Sequence, residues 1–232
     1  MKTLGMLGGM SYESTLTYYQ LINQGINKQL KGSHSASMYM YSFDYQELDL
    51  ALQKKDWTSI AKRLSEEGLK LKQAGAEGLL LCANTTHLVA DHVKKNVQLP
   101  LIHIADETAK VIQEKGIKRV GLIGTRYTME SDMYPLRLSH FGIEVILPDA
   151  KDQKIIHQII YHELIVGQFT DHSRKQIVDI IQKMNVPGII LGCTELPLLI
   201  REEDLMIHRF DTLHIHAKAA VAFMLQGENH DL

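Results

Sequence analysis

The 232 residues, 45% of them hydrophobic, suffice for one large domain or for two lobes of about 110 residues, each with its own core. A formal net charge of −2 gives no basis for a nucleic-acid or anionic-membrane partner, although a cleft with well-placed donors can still hold a small anion. No segment approaches bilayer-spanning length, the apolar start Leu4–Met10 lacks a signal-peptide layout, and two cysteines make no disulfide framework, so the expected setting is cytoplasmic.

In chain order, aliphatic runs alternate with amphipathic ones. Thr3–Leu7 reads as a buried strand, Tyr12–Gln29 as a helix and Ala36–Phe43 as a strand. Asp44, Glu47 and Asp49 read as a solvated acidic loop, followed by Gln53, Lys54 and Lys55, where a loop donor such as Gln53 can reach a substrate carboxylate. Trp57–Gln73 has helical spacing of apolar residues, Gly78–Cys82 is an aliphatic strand, Thr86–Lys95 a short helix and Pro100–Ile104 a strand. The pattern restarts with a strand at Lys118–Ile123, a helix at Thr128–Phe141 and a strand at Ile143–Leu147. Helices near Lys154–Val166 and Ser173–Met184 lead to the strand Gly188–Leu191, then Ile207–Phe210 and a last helix, Leu213–Leu225. Short aliphatic strands between amphipathic helices predict parallel sheets covered on both faces, with right-handed crossovers.

The chain repeats itself. Gly78-Leu-Leu-Leu-Cys-Ala-Asn-Thr85 aligns without a gap on Gly188-Ile-Ile-Leu-Gly-Cys-Thr-Glu195, an offset of 110, and both cysteines of the protein lie in these stretches. Lys2–Gly8 matches Lys118–Gly124 at an offset of 116, and Glu13-Ser14 is echoed by Glu130-Ser131 at 117. Matched segments in the same order predict a duplicated αβ unit. The expected division is a first lobe of residues 1–105, joined by the C-terminal segment 212–232, and a second lobe of residues 106–211.

In open parallel sheets, ligands sit outside the carboxyl ends of the strands. Four segments occupy that position, each between a strand and a helix start: Gly8–Ser11, Cys82–Thr85, Gly124–Thr128 and Gly192–Glu195. Backbone N–H groups at such turns cradle a carboxylate or phosphate. Gly8-Gly9 has the wrong spacing from Gly5 for a dinucleotide fingerprint and no phosphate loop occurs, so a turn capped by Ser11 is the plain alternative. Cys193 follows a buried strand beside a predicted helix N-terminus, which favours thiolate, and the polar Thr194 and Glu195 argue against a purely packing cysteine. By internal register its counterpart is Ala83, while Cys82 lies one position earlier and points to the other face, a structural placement unless the strand has already unwound. Among the twelve histidines, His214/His216 and His87/His92 are close pairs without a metal motif, and surface or capping roles explain them. Met6, Met10, Met38 and Met40 read as core or pocket filler.

Together, Leu-Gly-Gly-Met-Ser at 7–11, Cys-Ala-Asn-Thr-Thr-His at 82–87, Gly-Thr-Arg-Tyr-Thr at 124–128 and Gly-Cys-Thr-Glu at 192–195 resemble the aspartate/glutamate racemase family along nearly the full length. Glutamate at 195 resembles the aspartate branch. The resemblance implies two pseudo-symmetric αβα lobes with the active site in the cleft between them. It also implies cofactor-independent chemistry, with no pyridoxal phosphate, in which one thiolate removes the α-proton and a second thiol reprotonates the opposite face. Cys193 matches the second-lobe catalytic cysteine. Asn84, Thr85, Thr125, Tyr127, Thr128 and Thr194 match residues that hold the substrate's carboxylate and ammonium groups, with Glu195 beside them. Met10 and Ser11 match the loop that closes the pocket. The family's first thiol position is Ala83 here, so the expected reaction is asymmetric, with Cys82 or a water held by Thr85 serving the opposite face.

The resulting expectation is a racemase acting on a small aspartate- or glutamate-type amino acid, without nucleic-acid or membrane partners and assembled as a homodimer, as the family commonly is. Two alternatives remain open: a one-cysteine decarboxylase or isomerase of small diacids, and a non-catalytic amino-acid-binding homologue.

Overall fold

The computed structural model describes residues 1–226. Residues 227–232, the end of the predicted C-terminal segment, lie outside the described residues. The chain divides into two units, Met1–His103 with the chain from His216 onward, and Ile104–Ile215.

The first unit begins with β1 (Leu4–Gly8), α1 (Tyr12–Leu30) and β2 (Met38–Ser42). It continues through α2 (Tyr45–Gln53), α3 (Trp57–Ala74), β3 (Gly78–Leu81), a 3-10 turn at Thr85–Val89, α4 (Ala90–Val97) and β4 (Leu101–Ile102). The second unit runs α5 (Ile104–Glu114), β5 (Arg119–Gly124), α6 (Arg126–Met129), α7 (Met133–Ser139), β6 (Glu144–Ile146) and α8 (Ala150–His162). After a 3-10 turn at Leu164–Val166 come α9 (Asp171–Lys183), β7 (Gly188–Gly192), α10 (Leu196–Leu199), a 3-10 turn at Glu202–Asp204 and β8 (His208–Asp211). The last helix, α11 (Thr212–Met224), starts in the second unit and continues in the first.

Each unit holds a four-stranded parallel sheet, ordered β2-β1-β3-β4 in the first and β6-β5-β7-β8 in the second. The register repeats as well. Gly5 faces Leu79 and Leu7 faces Leu81, while Gly121 faces Ile189 and Ile123 faces Leu191, the pairs expected from offsets of 116 and 110. β1, β3 and β7 are buried at every residue, as strands covered on both faces must be, and therefore read as unbroken aliphatic runs. The echo of Glu13-Ser14 in Glu130-Ser131 is not structural: the first pair opens α1, whereas the second follows the end of α6.

Three elements depart from the sequence expectation. The acidic stretch 44–49 is not a solvated loop but the start of α2, where the Asp44 carboxylate accepts the Gln46 N–H at 3.1 Å. Leu48 and Leu52, one turn apart, bury the inner face of that helix. A helix missing from the expectation, α5, buries Ile104, Ala105, Thr108, Ala109 and Ile112 on one side. The expected helix Thr128–Phe141 is two short ones, α6 and α7. The buried Tyr134 of α7 hydrogen-bonds the side chains of Thr108 and Thr212, tying α5 and the start of α11 to it.

α11 joins the first unit through small residues. Val221 packs where a Cβ on Gly25 of α1 would intrude, and Phe223 lies where a Cβ on Gly78 of β3 would stand. The Lys2 N–H donates to the Met224 carbonyl at 2.7 Å. Of the four methionines expected as filler, Met6 and Met10 are buried, whereas Met40 lies exposed on the edge strand β2.

Candidate active site

Two turns of the first unit carry sequence-predicted site residues. At the end of β1 the chain turns through Gly9, whose φ of 84° suits glycine. The buried Thr15 hydroxyl accepts the Gly9 N–H at 2.8 Å and donates to the Ser11 carbonyl at 2.9 Å, binding the turn to the first turn of α1. Ser11 caps α1, its hydroxyl accepting the Ser14 N–H at 3.3 Å. At the end of β3, Cys82 has no exposed surface, and burial pushes its thiol well above the ordinary range. Asn84 is buried, while Ala83 and Thr85 are partly exposed. The Thr86 hydroxyl and His87 Nδ1 both reach the Ala83 carbonyl, at 3.1 and 2.8 Å, which makes Nδ1 the protonated nitrogen.

A partly open recess starts from these two turns. Met10 comes from the first, Ala83, Thr85 and Thr86 from the second, and the remaining wall is Tyr45, Leu48 and Leu52 of α2 with Ile60 of α3. The wall from α2 and α3 was not anticipated, although Asp44 as a cap and the spacing of Tyr45, Leu48 and Leu52 were a readable helix signal. Gln53 is not part of it: the residue is exposed at the end of α2 and its amide donates to Asp49 at 2.7 Å.

In the second unit the turn after β5 is capped by Thr125, whose hydroxyl accepts the Thr128 N–H at 3.4 Å. Thr128 is fully buried and packs against Gly124 and Gly192, the last residues of β5 and β7. Tyr127 is buried at its side. His157 of α8, unremarked in the sequence, lies between Tyr127, which it meets edge-on, and Tyr161, to which it is tilted, with ring centroids at 6.3 and 4.5 Å. The Arg126 N–H donates to its Nδ1 at 3.3 Å, and burial, followed by the Arg126 charge, holds the imidazole below its ordinary pKa.

Beyond β7, Cys193, Thr194 and Glu195 converge on one carboxylate. The Cys193 thiol donates to Glu195 Oε2 at 3.0 Å, and the Thr194 hydroxyl donates to the same oxygen at 2.8 Å. The expectation of a ready thiolate is overturned. Burial, then the charge of Glu195, raises the Cys193 thiol well above its ordinary range, and α10, only four residues long, offers little dipole against them. The resting form is therefore a thiol hydrogen-bonded to a carboxylate.

The histidines divide. His214 is exposed and bonds the Asp211 carboxylate at 2.6 Å, which raises its pKa, while the cap on α11 is that carboxylate, accepting the Leu213 and His214 N–H groups. His87 and His216, read from sequence as surface or capping residues, are instead buried, with ring centroids 5.2 Å apart. Nor is His103, at 4.8 Å from His87, exposed. Among the described residues, no group of three His, Cys, Asp or Glu side chains is placed to share a metal ion. No helix among them is long and apolar enough to cross a membrane.

Comparison with known proteins places this architecture. The sequence matches the Asp/Glu/hydantoin racemase family over residues 7–220. It is 25% identical to the broad specificity amino-acid racemase RacX of Bacillus subtilis (strain 168), over 96% of this chain and 98% of that one. A crystal structure of a Yersinia pestis protein superposes with a TM-score of 0.93 at 47% identity, covering 97% of this chain and 100% of the other. The aspartate racemase homologue of Pyrococcus horikoshii OT3 gives a TM-score of 0.83 at 32% identity, again over 97% and 100% of the two chains. With matching motifs, sheet order and fold, the chain belongs to the Asp/Glu/hydantoin racemase family.

Proposed function

We propose that the protein is a cofactor-independent amino-acid racemase in which Cys193 moves the α-proton on one face of the substrate. The observation that carries this reading is the Cys193–Glu195 hydrogen bond at the end of β7. A buried thiol already donating to a carboxylate has a short path to thiolate: the proton passes from Sγ to Glu195 Oε2, and the sulfur then removes the proton from Cα. In the reverse direction the protonated thiol delivers its proton to the carbanion-like intermediate. Thr194, donating to the same oxygen at 2.8 Å, keeps Glu195 aimed at the sulfur.

The opposite face has no thiol at the matching position, which is Ala83. Cys82 is fully buried, so the reaction proceeds asymmetrically, with a water at the partly exposed Thr85 hydroxyl as the proton carrier. The turn hydroxyl and N–H groups at Thr125, in the same unit as Cys193, are proposed to hold the substrate's carboxylate. RacX, a racemase of broad specificity that matches over nearly its whole length, supports an amino-acid substrate.

The test is solvent deuterium incorporation at Cα of L- and D-amino acids by the wild type and by Cys193→Ala. Incorporation by the wild type and its loss in the variant are expected; incorporation that survives in Cys193→Ala removes Cys193 from the role. Ala83 favours one competing reading, a decarboxylase that reprotonates one face only. That enzyme would release carbon dioxide from a substituted malonate and racemise nothing.

A further inference from the structure

An amino-acid substrate has constant groups at Cα and one variable side chain, and the first unit offers a place for the latter. The recess shares Met10, Ala83, Thr85 and Thr86 with the strand-end turns, while the rest of its wall, from α2 and α3, is built by elements that carry no family motif. Leu48 and Leu52 are each 4% exposed and Ile60 is 1% exposed, so the wall is a continuation of the apolar core. No Lys, Arg or His is among the lining residues. The Arg63 guanidinium of α3 is occupied elsewhere, with Glu47 at 3.4 Å and Glu67 at 3.3 Å. The Thr86 hydroxyl is already committed to the Ala83 carbonyl.

An ionised side chain placed there would lose water without gaining a counter-charge, which strongly disfavours it. A hydrocarbon or thioether chain in the same place exchanges water for leucine and isoleucine methyl groups, which favours it. From this, and resting on the racemase reading above, we infer that the recess receives the substrate side chain and selects a neutral, unbranched aliphatic or thioether group over the carboxylate of aspartate or glutamate. The recess is small, with a cavity volume of about 30 Å³, room for a chain of only a few heavy atoms. Leu48 and Leu52 are then the specificity-determining residues, and the acidic substrates suggested by the family resemblance are the disfavoured ones.

The experiment is a substrate panel: solvent deuterium exchange at Cα of alanine, norvaline, methionine, aspartate and glutamate, each enantiomer separately, with the full-length protein. For the wild type, kcat/KM for norvaline or methionine at least about tenfold above that for aspartate is expected. Aspartate or glutamate exchanging as fast as norvaline overturns the inference and leaves the racemase reading intact. Exchange with no amino acid overturns the racemase reading; calorimetric binding of the same panel then judges the recess, and aspartate binding as tightly as norvaline overturns it. In a folded Leu52→Phe, which fills the recess, the preference should move from methionine toward alanine by about tenfold with aspartate unchanged. An unchanged ranking in that variant, with its circular dichroism preserved, also counts against the assignment.

Discussion

The Sγ of Cys193 and Oε2 of Glu195 are 3.0 Å apart, with the thiol as donor, and this contact adds to burial in keeping the sulfur protonated. Removing the negative charge should release part of its hold. In Glu195→Gln the thiol should titrate lower than in the wild type, while burial still keeps it above the ordinary range. The rate of alkylation by iodoacetamide, followed against pH, measures the shift. Exchange at Cα should fall by roughly 10²-fold, since the variant has no proton acceptor for the thiol. An alkylation profile unchanged by the substitution would mean that Glu195 does not control the sulfur.

Ala83 is partly exposed at the turn after β3 and lines the recess. Ala83→Cys places a second thiol at the internal counterpart of Cys193. Comparison of exchange rates for the two enantiomers should show their ratio moving toward one. A ratio that stays put would argue that the proposed proton carrier on that face already serves it without limitation.

Thr15 holds the turn after β1 by accepting the Gly9 N–H and donating to the Ser11 carbonyl, at 2.8 and 2.9 Å. Thr15→Val keeps the shape and leaves the buried Gly9 N–H without its acceptor, at a cost of about 1–3 kcal/mol. Urea unfolding should show a lower midpoint at constant slope, and Thr15→Ser should recover most of the loss. No change in midpoint would show that the turn does not need this hydroxyl.

His216 is held neutral. Its Nε2 lies 2.8 Å from the Ile102 carbonyl and must donate, so Nδ1, 2.9 Å from the Tyr18 hydroxyl, accepts. Burial first, then the nearby His87, keeps its pKa well below the ordinary 6.5. The unfolded chain therefore binds a proton at this site before the folded chain does. Stability should be complete above pH 6.5 and fall as pH drops below it, by at most about 1.4 kcal/mol per pH unit from this residue. Urea denaturation between neutral pH and pH 5 should show a shallower slope in His216→Gln than in the wild type. An equal slope would place the acid sensitivity elsewhere.

The duplication was legible in residues alone. Aliphatic runs closed by Gly8, Gly124 and Gly192 encode buried parallel strands, and the offsets of 116 and 110 foretell the shared register of β1–β3 and β5–β7. Strand ends are where chain direction reverses, so Ser11, Thr125 and Cys193 could be placed from local pattern. Cys82 was separable from Ala83 on the same ground, because alternation along a strand is a local rule.

The protonation of Cys193 was not legible, since desolvation depends on what surrounds the sulfur and not on what precedes it. Neither were the buried places of His87 and His216, which come from positions 129 residues apart in the chain. α2 lay between these cases: Asp44, Leu48 and Leu52 spell a capped helix, yet only packing against α3 and the β3 turn makes that helix the wall of a recess. Local periodicity is written residue by residue, whereas charge state and pocket chemistry arise when distant residues remove one another from water.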